Sequence, residues 1–64
     1  MCETKVVLMK GDEEEEIMSE AAMIKLKDDG IVVYDILGNS RSIGNCELEE
    51  VDFIKHRAIL RKKD

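Results

Sequence analysis

Proline is absent from this 64-residue chain, and only four glycines occur in it. No turn is therefore preset by a pyrrolidine ring, and the connections must be short. Tyr34 and Phe53 are the only aromatic residues. Base-stacking platforms need exposed aromatics, and two are few for that purpose. Cys2 and Cys46, far apart in sequence, allow one intrachain bridge at most and do not form a secreted disulfide framework. The chain has no CxxC or CxxH cluster, which argues against a closed structural zinc site within one chain. It has no apolar run long enough to span a membrane and no recognisable signal peptide, so the expected location is cytoplasmic.

What is present is charge of both signs. Ten basic and fifteen acidic residues leave a net charge of −5. That balance opposes non-specific binding to nucleic acid, which rests on neutralising phosphates. The length sets one small domain over residues 1–64, with a core that buries only about 60% of the surface the unfolded chain exposes. Chains of this size commonly add a dimer interface, a metal or a disulfide.

The apolar pattern is that of strands. Residues 2–10 read as a strand, with the apolar run Val6, Val7, Leu8 and Met9 opening on two β-branched valines and both faces expected to be buried. Gly11-Asp12 signals a turn. The acidic run Glu13, Glu14, Glu15 and Glu16 reads as a solvated hairpin tip or edge strand. Residues 19–23 fit either a short helix or a turn, and residues 23–26 fit a strand. Asp28-Asp29-Gly30 is the clearest hairpin turn. A strand is expected over residues 31–37, then a Gly38-Asn39 turn, a short strand over 41–43 and a break at Gly44-Asn45. Beyond Glu47, the residues Leu48, Val51, Phe53 and Ile54 suit a pleated sheet better than a competing helix. They lead to a hairpin tip near residues 55–57 and a last strand over 58–60, with a polar tail expected to fray. The expected fold is all-β: about six short strands in one small barrel of the SH3-like or Sm-like kind.

The chemistry concentrates at Cys2. Removal of Met1, usual when the next side chain is small, would place a thiol and a free α-amine on one residue. Together they close a five-membered chelate on a metal ion, and the Glu3 backbone amide adds a further nitrogen. Sulfur with nitrogen in a flat arrangement suits nickel(II) or copper(II) better than magnesium or calcium. Both groups must lose protons to bind, so affinity should rise with pH. On composition alone the plainer reading is preferred, in which Cys2 simply begins a strand.

The stretch Met1-Cys2-Glu3-Thr4-Lys5-Val6-Val7-Leu8 resembles the start of the small CooT proteins. These are nickel-binding accessory factors of carbon monoxide dehydrogenase maturation. Ile43-Gly44, Val51-Asp52-Phe53 and Ala58-Ile59-Leu60 also resemble that family. The resemblance implies a small β-barrel and a homodimer with Cys2 of both chains meeting at the interface. It implies nickel(II) bound there and a nickel-enzyme client. Cys2 alone carries over as a functional residue. Two-fold symmetry would complete a site for which one chain has too few ligands. Members have also carried a predicted RNA-binding label, which rests on barrel analogy.

Other residues have plainer roles. Cys46 reads as a small core residue, His56 as an exposed turn residue, and Met9, Met18 and Met23 as core filling. Lys55, Arg57, Arg61, Lys62 and Lys63 cluster near the C-terminus, where adjacent strands would give an RNA-binding face. The acidic remainder of the chain opposes that ligand. No Ser-His-Asp set, phosphate loop or paired-carboxylate site can be argued, so an enzyme is not expected. A metal-free protein-interaction module is the remaining alternative.

Overall fold

A computed structural model describes residues 3–63. Cys2, the principal expected ligand, lies outside the described residues. The six strands are β1 (Thr4–Lys10), β2 (Glu13–Lys27), β3 (Gly30–Asp35), β4 (Ser40–Gly44), β5 (Cys46–Asp52) and β6 (Arg57–Lys62). They form one sheet in the order β4-β3-β2-β1-β6-β5, curled into a half-barrel. All neighbours are antiparallel except β1 and β6, which run parallel. The all-β, barrel-like expectation holds.

The curl follows from chain connectivity. Laid flat, six strands would place β4 and β5 about 24 Å apart. Yet Asn45 alone joins Gly44 to Cys46, and one intervening residue spans only about 7 Å. The two outer strands must therefore meet at this corner. Asn45 turns the chain with φ 55, a conformation that asparagine tolerates better than most residues. Its N–H donates to the Asp29 carbonyl at 2.9 Å, and its carbonyl accepts from Lys63 N–H at 2.8 Å. The Lys62 ammonium donates to the Gly44 carbonyl at 2.9 Å.

The opposite bend is in β2. Its register against β1 shifts twice, between the Thr4 and Val6 pairs and between the Val6 and Val7 pairs, and its register against β3 shifts between Ala21 and Met23. Such bulges let a long strand leave one half of the sheet and join the other. Residues 13–16 pair with β1, while β3 pairs only from Ala21 onward. The acidic run is therefore a local edge, as expected, but inside a continuous strand rather than at a tip. Arg41 of β4 reaches this free stretch and donates to the Ile17 carbonyl at 3.2 Å.

The concave side holds Val6, Leu8, Ile17, Ile31, Val33, Ile43, Ala58 and Leu60. Cys46 is buried with them, as expected, and its thiol donates to the Ile43 carbonyl at 3.4 Å. Val7 is fully buried but lies outside this cluster. Because β1 lies between β6 and β2, the Arg57–Glu14 ion pair at 2.7 Å crosses β1. With Ile59 opposite Val7 in register, this helps explain how both faces of β1 are covered.

Several expectations are corrected. Residues 19–23 are strand, because β1 and β3 pair with them on either side. β3 ends at Asp35, whose carboxylate accepts the N–H groups of Leu37 and Asn39 at 2.9 Å and folds the following residues into a turn. Ile36 and Leu37 are thereby left in solvent. Asp52 does the same for Ile54 and Lys55, so β5 stops before Phe53 and the tip spans residues 53–56. Arg57 then begins β6. Met23 is half exposed rather than core filling. Arg61 and Lys62 belong to β6 and do not fray.

Gly30 sits opposite Gly44 in the β3–β4 pair. A Cβ at Gly30 would collide with the Ile43 carbonyl oxygen and come within 2.9 Å of the Gly44 Cα. Both obstacles are backbone and cannot rotate away. Gly30→Ala should cost about 2 kcal/mol, read as a lower urea midpoint at unchanged m-value, while Gly11→Ala, which meets no atom within 4 Å, should cost only the strain of its left-handed φ of 61, about 1 kcal/mol.

Candidate functional site

The segment of interest is the start of β1. Glu3 is exposed just before it. Thr4 pairs with Ala21 of β2, and Lys5 N–H donates to the His56 carbonyl at 2.9 Å. Ala21 in turn pairs with Asp35. A line across the sheet thus runs from the β3–β4 turn through Ala21 and Thr4 to the β5–β6 tip. Beside it lies an open groove of about 190 Å³ lined by Thr4, Ala21, Ala22, Met23, Val51 and Phe53, among others.

Cys46 does not join this end. It pairs with Lys62 at the far end of β6, whereas Arg57 at the near end pairs with Lys5. Five residues of strand separate the two by about 17 Å. Burial pushes the Cys46 thiol pKa up, which makes it a poor nucleophile and a poor ligand. Among the described residues, no three His, Cys, Asp or Glu side chains are grouped to hold a metal ion.

His56 is an exposed tip residue with φ 54, as expected. Its ring shares a shallow hollow with Lys5, Lys55, Arg57 and Glu14, where three neighbouring cations oppose a metal ion. The basic cluster is dispersed. Arg57 is paired with Glu14 and Arg61 with Glu49, while Lys62 bonds the Gly44 carbonyl. Lys55 and Lys63 are exposed and flank opposite ends of β6. The five residues do not make one unpaired basic face.

Missed from the sequence was the apolar surface around the start of β1. Ile36 and Leu37 are 76% and 84% exposed, and Phe53 and Ile54 are 81% and 89% exposed. The available signal was an aspartate immediately before each apolar pair, Asp35 and Asp52, since Asp favours a turn closed by its own carboxylate.

Two carboxylates are held below their usual range. The Asn39 side-chain amide, donating at 3.0 Å, is the main cause for Asp35. The hydrogen bond from Arg61 is the main cause for Glu49. A depressed carboxylate contributes stability above its unfolded pKa, and that contribution is lost as pH falls through the folded value. The urea midpoint should hold from neutrality to about pH 5 and decline below about pH 4. Asp35→Asn should flatten part of that decline. A second outcome concerns the thiols: in a Cys2→Ala variant, Cys46 should resist Ellman's reagent until the protein is unfolded.

The family model for the CO dehydrogenase accessory protein CooT matches residues 1–61. A crystal structure assigned to CooT from Carboxydothermus hydrogenoformans superposes with a TM-score of 0.83 at 22% identity, covering 98% of this chain and 100% of that one. At that identity the superposition speaks for the fold. A comparison with curated proteins found no significant match.

Proposed function

This chain belongs to the CooT family of CO dehydrogenase accessory proteins, and from that premise we propose that it is a nickel metallochaperone. Nickel(II) is its cargo, held between two copies by the Cys2 thiolates and nearby nitrogens of the Cys2–Glu3 segment. The client is a nickel enzyme of the carbon monoxide dehydrogenase type. The observation that carries this reading is the extent of the family match. It starts at residue 1, so the Met-Cys beginning lies inside the matched stretch.

The donor chemistry agrees. Thiolate and deprotonated nitrogen favour nickel(II) or copper(II) over hard cations, and copper would bind more tightly on intrinsic affinity, so metal availability selects nickel. One chain offers a single thiolate there, since Cys46 is buried at the far end of β6. Two chains related by a two-fold axis double the donor set. On this reading the chain's task is to bind and release.

Nickel titration of the reduced, Met1-processed protein should give a thiolate-to-nickel absorption band that saturates at one metal per two chains. Cys2→Ala should abolish the band, and retention of Met1 should weaken binding by at least tenfold. Failure of wild-type protein to bind at micromolar nickel would remove the chaperone reading.

A further inference from the structure

The sheet ends in β5, whose outer edge has no strand beside it among the described residues. The half-barrel therefore keeps an open seam, with β5 on one bank and the second half of β2 on the other. Register assigns the faces. Leu48 lies opposite Leu60 and Val51 opposite Ala58, so both point to the concave side that holds the core. Ile24 lies opposite Val33 and Leu26 opposite Ile31, which puts them on the same side. Leu26 is 62% exposed and Val51 39%, while Ile24 and Leu48 are only partly buried. Two hollows mark the seam. One of about 160 Å³ is lined by Leu26 and Leu48, and one of about 190 Å³ by Ile24 and Val51. Beyond Cys46, no hydrogen bond or ion pair among the described residues crosses it. The gap between β4 and β2, by contrast, is bridged by Arg41.

The convex side of β5 is acidic. Glu47 lies opposite Arg61 and Glu50 opposite Ile59. Arg61 is taken by Glu49, which the register shift between Leu48 and Glu50 sets aside. Glu47 and Glu50 are exposed and form no ion pair among the described residues.

We infer that β5 takes an extended segment of a partner protein as a seventh strand, one whose side chains alternate between apolar and basic. The outer backbone groups of β5 supply the main-chain bonds, and the alternating side chains supply specificity. The apolar set enters the seam against Leu26, Leu48 and Val51. The basic set lies across from Glu47 and Glu50, where opposite charges on neighbouring strands attract. A second copy joined β5 to β5 would set these carboxylates against their own kind, which like-charge repulsion opposes. The net charge of −5 adds to that preference for a basic partner. The inference uses no property of the Cys2 segment and stands apart from the nickel reading.

The probe is a labelled peptide of alternating lysine and valine, seven residues long like β5 itself, titrated with full-length protein and read by fluorescence anisotropy. Binding should saturate with a dissociation constant of about 100 µM, and amide hydrogen exchange along β5 should slow in the complex. Glu47→Lys combined with Glu50→Lys, both at exposed positions, should weaken binding at least tenfold with an unchanged circular dichroism spectrum. Glu13→Lys combined with Glu20→Lys makes the same change in net charge away from β5 and should bind within twofold of wild type. No saturation by about 1 mM peptide would overturn the inference. So would equal binding of a peptide with its lysines and valines grouped in two blocks, or equal weakening by the two double variants. Protection of the β5 amides that rises with protein concentration in the absence of peptide would assign the seam to a second copy and overturn it too.

Discussion

A single residue, Asn45, connects the two outermost strands of a six-stranded sheet, and the rest of the fold answers to that constraint. Only a curled sheet lets β4 pass into β5 through one residue. Curling needs a compensating bend elsewhere, and the register shifts of β2 against β1 and β3 supply it on either side of Ala21. The bend divides β2 into a part paired with β1 and a part paired with β3. The corner itself is tied by hydrogen bonds among Asp29, Gly44, Asn45, Lys62 and Lys63. The bend and the start of β1 are neighbours through the Thr4–Ala21 pair. Closure at Asn45 is thus linked, through β2, to the place where the N-terminal segment leaves the sheet.

Charge solves the problem that the open half-barrel leaves. The acidic stretch of β2 has one unpaired edge, and four carboxylates there discourage strand addition. Lys5, Lys10, Arg41 and Arg57 each pair with one of Glu14, Glu15 or Glu16. These ion pairs are exposed and each contributes little to stability. Their placement is the more informative point: the Arg57–Glu14 pair crosses β1, in the middle of which Val7 is fully buried. The run that reads in sequence as a solvated hairpin tip or edge strand is, in the fold, a local edge whose Glu14 also reaches across β1 to Arg57.

Strand content, the Asp28-Asp29-Gly30 turn, the buried Cys46 and the exposed His56 were legible because each rests on a local rule. Strand order was not, since the parallel pairing of β1 with β6 depends on closure at Asn45, a long-range event with no local signature. The ends of β3 and β5 were misread for a related reason. Ile36-Leu37 and Phe53-Ile54 have strand propensity, but Asp35 and Asp52 capture the following N–H groups and win locally. Propensity is outweighed where a carboxylate satisfies the backbone of a turn. The family was legible from the Met-Cys start and the Lys-Val-x-Leu strand. The apolar surface beside that start was hidden, because Phe53 and Ile54 read in sequence as part of a strand rather than of a turn.

The nickel proposal carries a linkage of its own. A metal site split between two chains would have an affinity that depends on protein concentration unless something else kept the chains together. If the thiolates alone joined the copies, loss of nickel would dissociate them, and recapture would wait on a bimolecular encounter. Contacts that held the copies together without metal would remove that dependence, because the donors would stay at high effective concentration while the metal was absent. On the proposed reading, anything that strengthened the association would raise nickel affinity, and nickel would tighten the association by the same factor.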